Sequence, residues 1–138
     1  MDKIRTSTTE LYVDDDGILR VKVFANAVVT LEMIKVNYAV YKELLGDKKV
    51  LLLIDSREKY TFTKEARAYA ASTEVALNRI ATAFVVASFG GWLIASVYIR
   101  FNKPAIPTRM FASEAKALKW LKSFYVFPGD SYAGAKKK

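Results

Sequence analysis

The run Ile80-Ala-Thr-Ala-Phe-Val-Val-Ala-Ser-Phe-Gly-Gly-Trp-Leu-Ile-Ala-Ser-Val-Tyr-Ile99 lies between Arg79 and Arg100 and carries no charge. At about 20 residues it is as long as a membrane-spanning helix. Its internal pattern argues against that reading. Ala83-Phe-Val-Val-Ala87 is β-branched and aromatic, Gly90-Gly91 interrupts, and Trp92, Ala95, Ser96 and Ile99 recur at helical spacing. The stretch reads as a buried strand, a tight turn at Gly90-Gly91 and a buried helix. A second apolar run, Val50-Leu-Leu-Leu-Ile54, is too short to cross a bilayer and ends on Asp55, as a central parallel strand does. Two such strands call for an α/β domain.

Working toward the N-terminus, Leu11-Tyr-Val13 and Ile18-Leu-Arg-Val-Lys-Val-Phe24 flank Asp14-Asp-Asp-Gly17. Ile18, Arg20 and Lys22 alternate with Leu19, Val21 and Val23, which predicts a β-hairpin with one wet face. Calcium would need a longer ligand loop closed by an acidic residue, and none follows Gly17 at that spacing. Thr30 caps a predicted helix with Leu31, Ile34, Tyr38, Tyr41 and Leu45 on its apolar face, stopped by Gly46. A strand over 49–55 follows. Thr63 is the expected N-cap of a helix over 64–71, and Ser72 of a further segment reaching Asn78. The strand 80–88, a helix from Trp92 to about Asn102 ended by Pro104, an edge strand over 107–111 and a Ser113-capped helix to about Phe124 complete the chain. The order is β-β-α-β-α-β-α-β-α. Three strand-helix-strand steps with short links favour a mainly parallel sheet with right-handed crossovers.

Composition narrows the chemistry. The 138 residues, 52% hydrophobic, suit one domain that buries about two thirds of its unfolded surface. There is no cysteine and no histidine. Disulfides, thiolate nucleophiles, His-based acid–base systems and most zinc sites are thereby excluded. The net charge of +8 belongs to the second half. Residues 1–78 hold 12 basic and 12 acidic side chains, whereas 79–138 hold 10 and 2. Lys136-Lys137-Lys138 end a segment, 126–138, that reads as a flexible basic tail after a domain over 1–125. Met1-Asp-Lys-Ile-Arg-Thr6 carries two basic residues with no apolar run behind them, so no secretory signal is read and a cytoplasmic location is the default expectation.

The element order, Val50-Leu-Leu-Leu-Ile-Asp55, the run Asn102-Lys-Pro-Ala-Ile-Pro-Thr-Arg-Met-Phe111 and the helix Glu114-Ala-Lys-Ala-Leu-Lys-Trp-Leu121 resemble the STAS/SEC14-like superfamily. Within it the chain is most similar to uncharacterised bacterial proteins related to the sporulation anti-sigma-factor antagonist, over roughly Leu11 to Phe124. The shared residues are packing residues, so the resemblance speaks for fold more than activity. In the sporulation-type antagonists a serine in an Asp-Ser-x-Gly loop, at the start of a helix, is phosphorylated. This chain has Tyr60-Thr-Phe-Thr63-Lys-Glu65 there, without the aspartate or the glycine. Thr63 is the nearest counterpart, and its role as N-cap explains it equally well.

The candidate phosphorylation or partner residues are therefore Ser56, Thr61 and Thr63. Asp55, Arg57, Gly90 and Gly91 form a candidate ligand or partner loop at strand ends, where α/β domains place ligands. Gly90-Gly91 lacks the spacing of a phosphate-binding loop. Lys116, Lys119 and Lys122 line one helix face as a candidate basic surface, or simply as a solvated face. The leading expectation is a non-enzymatic STAS-like domain acting through protein contacts in a regulatory setting, as a small homo-oligomer with a dimer favoured. It needs no cofactor, no metal and no specific nucleic acid. The alternative, implied by the SEC14 branch, is a module for a lipid or other apolar small molecule lined by residues 80–101. An enzyme built on Asp55 with Arg57 or Thr63 ranks last.

Overall fold

The computed structural model describes residues 3–76 and 78–125. Its strands are β1 (Ile4–Arg5), β2 (Thr9–Val13), β3 (Leu19–Val23), β4 (Val28–Val29), β5 (Val50–Ser56), β6 (Thr61–Phe62), β7 (Arg79–Val86) and β8 (Thr108–Phe111). Its helices are α1 (Leu31–Leu45), α2 (Lys64–Ala70), α3 (Thr73–Ala76), α4 (Phe89–Val97) and α5 (Glu114–Lys122). Helix α4 runs on into a π-helical turn, Tyr98–Asn102. Among the described residues no helix is long and apolar enough to cross a membrane.

Six strands form one sheet in the order β1-β2-β3-β5-β7-β8. The hairpin side, β1-β2-β3, is antiparallel, and the pairs β3-β5, β5-β7 and β7-β8 are parallel. This is the mixed, mainly parallel sheet expected. Three short strands escape the sequence pattern. Two residues are too few to show a period, so β1 is invisible in it, as are β4 and β6, which pair parallel as a separate two-stranded ribbon.

Strand alternation sorts the core into two layers. Leu11, Leu19, Val21, Val50 and Leu52 face α1, where Tyr38, Tyr41 and Leu45 cover them. Phe84 and Val86 meet Ala95 and Tyr98 of the α4 region on that same face. On the opposite face Leu51, Leu53, Ala81, Ala83 and Val85 pack under Ala117 and Leu121 of α5. Each fully buried Leu is worth roughly 1.5–3 kcal/mol over leaving it exposed, so this layering dominates the local energetics. One helix covers only part of that second face. Over the hairpin its residues are Glu10, Tyr12, Arg20 and Lys22, the wet alternation of the sequence, while Ile18 slips under the cover of α5.

The predicted caps form. Thr30, Thr63 and Ser113 each accept a hydrogen bond from the backbone N–H three residues on, at 3.2, 3.2 and 3.3 Å. Gly46 closes α1 at φ +63°, its N–H bonded to the Lys42 carbonyl. The Gly90-Gly91 turn does not. Ser88 caps a helix that already begins at Phe89, its Oγ accepting from Gly91 N at 3.1 Å, so both glycines lie in the first turn of α4. The segment expected to reach Asn78 ends at Ala76 as α3. The expected tail, 126–138, lies outside the described residues.

Candidate functional site

Asp55 and Ser56 are adjacent in sequence and face opposite sides of the sheet. Asp55 turns toward α5. Arg57 binds its carboxylate through two nitrogens, at 3.0 and 2.9 Å, and reaches Glu114 at 3.2 Å. Glu114 also accepts from Arg20 at 3.2 Å, and Arg20 from its other side holds Asp14 at 3.0 Å. The result is a chain of charges, Asp14-Arg20-Glu114-Arg57-Asp55, that ties the hairpin, the end of β5 and the N-terminus of α5 together. Glu114 sits where the helix dipole favours an anion. Burial alone would raise the Asp55 carboxyl; the Arg57 hydrogen bonds and the charges of Arg57 and Lys22 outweigh it and hold the group below its ordinary range. A carboxylate occupied in this way is a structural anion, not an available base.

Ser56 turns inward. It is 1% exposed, and its hydroxyl shares a 2.9 Å hydrogen bond with Tyr60, whose own ionisation burial pushes up. Buried there, it offers neither a nucleophile nor an accessible phosphate acceptor. Thr61 is exposed on β6, and Thr63 is half-buried as the cap of α2. The structure places Asp55 and Arg57 at and just past the end of β5, and Gly90 and Gly91 in the first turn of α4. Gly91 does approach this region: a Cβ on it would stand 3.0 Å from the Ser56 carbonyl oxygen.

Lys116, Lys119 and Lys122 are all exposed on α5. Lys122 is paired with Asp16 at 2.9 Å, so the stripe is partly neutralised by the hairpin turn. The three aspartates of that turn serve the hairpin: Asp14 Oδ1 accepts from the N–H groups of Asp16 and Ile18 at 2.9 and 3.0 Å. Among the described residues no acidic cluster could hold a metal ion.

Two features went unread in the sequence. The first is the outer face of α4. Phe89 is 73% and Phe101 77% exposed, with Trp92 and Leu93 at 41% and 46%. Of the six large hydrophobic side chains exposed among the described residues, these are four. Phe89 and Trp92 stack at 5.7 Å. An uncharged run hides which of its faces is covered, so periodicity alone could not single this one out.

The second is a pocket of about 50 Å³, partly open to solvent, between the sheet, α1, α2 and the π-helical turn that follows α4. Its walls are mainly aliphatic and aromatic, but Asn37, Tyr41, Arg79 and Tyr98 also line it. A register shift opposite Val50 and Leu51 places a bulge at the start of β7. It leaves Arg79 on the α1 face, its guanidinium 5.6 Å from the centre of the Tyr41 ring. Burial pushes the Tyr98 phenol up to about 12 and raises Tyr41 as well, with Arg79 opposing both. Asn37 gave the one readable signal, an amide one position before Tyr38 on the apolar stripe of α1.

A family model for a domain of unknown function, DUF7793, matches residues 11–125. Among solved structures, the chain is similar to an uncharacterized protein of the DUF3478 family from Shewanella loihica PV-4, described as having a SpoIIAA-like fold. The two are 17% identical, with a TM-score of 0.61 over 86% of this chain and 97% of that one. A protein of unknown function from Arthrobacter sp. FB24 is 25% identical over 81% of this chain and 97% of its own, at a TM-score of 0.33. No curated protein matches. The first likeness shows the fold, the SpoIIAA-like arrangement of the STAS class, as the resemblance implied. The match over residues 11–125 places the chain in the DUF7793 family, a domain of unknown function.

Proposed function

We propose that the domain is a non-enzymatic interaction module in a regulatory setting and that it works through protein contacts made by the outer face of α4. The observation that carries this is the concentration of exposed Phe89, Trp92, Leu93 and Phe101 on α4 and the π-helical turn that continues it. Contiguous apolar surface of this kind on a small domain marks an interaction site rather than scattered exposure.

The partner that fits is a second copy of the chain. Phe89, Leu93 and Val97 recur every four residues along α4 and Phe101 follows on the π-helical turn, with the aromatic residues at the ends and smaller ones between. Laid antiparallel on itself, such a ridge sets Phe89 beside Phe101 of the other copy and Leu93 beside Val97, the self-complementarity a two-fold interface requires. Charge permits the approach. From Ile80 to Ile99 there is no side chain charged at neutral pH, so the net charge of +8 brings no like charges together along the middle of the contact. The test is the oligomeric state of the full chain against a variant whose ridge is made polar.

A further inference from the structure

The two edges of the six-stranded sheet differ in charge. At β1 the cations Lys3 and Arg5 are both paired with Glu10. At the other edge Lys103 on the approach to β8, Arg109 within it, and Lys116 and Lys119 on α5 form no ion pair among the described residues. The sole acidic side chain of residues 79–125, Glu114, is held by Arg20 and Arg57 on the hairpin side. Arg109 is exposed and lies over the rings of Phe111 and Trp120, 5.3 and 5.6 Å from their centres, and Lys116 stands one turn from Trp120 on the same flank of α5. The register with β7 decides which backbone groups of β8 face outward. Thr108 lies opposite Thr82 and Met110 opposite Phe84, and Thr82 N donates to the Pro107 carbonyl at 2.9 Å. In a parallel ladder Pro107, Arg109 and Phe111 therefore turn their backbone groups to β7, while Thr108 and Met110 turn theirs away. Those outward N–H and C=O groups have no hydrogen-bond partner among the described residues. Pro107 does not guard this edge, because the N–H it lacks is on the inward side.

We infer that β8 is a docking edge for an extended acidic segment of a partner protein, added to the sheet as a further strand. The two observations make separate demands. The free N–H and C=O groups call for a polypeptide strand, because main-chain pairing is what a sheet edge offers. The cations call for carboxylates. A second copy of β8 does not fit, since it would bring Arg109 and the lysines against the same cations. Strand alternation sets the pattern of the segment. Its side chains on one face lie beside Arg109 and the Lys116 flank of α5, and those between them lie on the face where Met110 meets Ser96 of α4. The matching segment is therefore acidic at every second position and apolar between. This edge is not the outer ridge of α4, and its use does not depend on self-association.

The probe is a peptide of alternating glutamate and valine. One control replaces its glutamates by lysine; the other is the glutamate peptide N-methylated at every residue, which keeps the charge and cannot donate to a ladder. Titrated into the full chain, the glutamate peptide should shift the backbone amide resonances of Thr108 and Met110 and slow their hydrogen exchange, with an affinity that falls as salt rises. Both controls should bind at least about tenfold more weakly. Arg109→Glu should remove the preference for the glutamate peptide over the lysine one. Thr108→Pro takes away an outward N–H at an edge, where proline is tolerated, and should abolish binding while urea unfolding stays cooperative. Equal binding of the N-methylated peptide would reduce the surface to general electrostatic attraction and overturn strand addition. Shifts confined to the lysines of α5, or no binding at about millimolar peptide, would overturn it as well.

Discussion

Gly91 and Ser56 approach so closely that any side chain at position 91 would press on the Ser56 carbonyl oxygen, 3.0 Å from where its Cβ must lie. The contact seats the first turn of α4 against the end of β5. With Ala95 and Ser96 on the inner side, it leaves Phe89, Trp92 and Leu93 on the outer one.

The two glycines should therefore behave oppositely. Gly91→Ala brings a Cβ within 3.0 Å of a backbone oxygen that must give by a few tenths of an ångström, so it should be less stable than Gly90→Ala by about 1 kcal/mol or more. Gly90 is exposed, with only Ser88 Oγ near its absent Cβ, at 3.9 Å. Gly90→Ala should be neutral or stabilising by up to about 1 kcal/mol. Urea midpoints of the two variants check this, and equal destabilisation would show that the helix start, not the close approach, requires glycine.

Thr63→Ala should cost about 1 kcal/mol by removing the acceptor for Ala66 N, while Thr63→Asp keeps a capping oxygen and suits the helix dipole, so it should be near neutral. Stability thus cannot report a phosphorylation switch at this residue. If Thr63 is one, Thr63→Asp must alter self-association in sedimentation; an aspartate variant indistinguishable from the parent there counts against it.

Asp55 predicts an acid dependence with a definite sign. Its folded carboxyl lies below the unfolded value of about 3.9, so the stability it contributes is complete above pH ~4 and is lost as pH falls through the lower folded value. Asp55→Asn should flatten the fall in urea midpoint below pH ~4 and leave the neutral-pH slope alone. An unchanged acid limb would contradict this.

The sheet was legible because its central strands are apolar runs bounded by Asp55 and Ser88, and the helices because Thr30, Thr63 and Ser113 mark their starts. Gly90-Gly91 misled because glycine signals a turn in isolation, whereas here Ser88 caps ahead of it and the Ser56 carbonyl demands the missing side chain. Ser56 looked available beside Asp55 only because one-dimensional adjacency hides the alternation of a strand. Trp120, within the helix segment that carries the resemblance, is half-buried between Phe111 and Phe124 with Arg109 over its ring. Trp120→Ala should accordingly cost less than the ~3–5 kcal/mol of a fully buried aromatic. The cavity polarity was illegible, because only the bulge turns Arg79 toward Tyr41.

Sedimentation velocity of the full chain and of Phe89→Ser/Phe101→Ser tests the central reading most directly. Both replaced side chains are more than two-thirds exposed, so the variant should still unfold cooperatively, its melting temperature lower only by the mass-action stabilisation that dimerisation gave the parent. The parent should sediment as a dimer at micromolar concentration and the variant as a monomer. A parent that stays monomeric at every concentration, or a variant that remains a dimer, would contradict the account, and a monomer that floats with anionic vesicles would assign the ridge to a lipid surface instead.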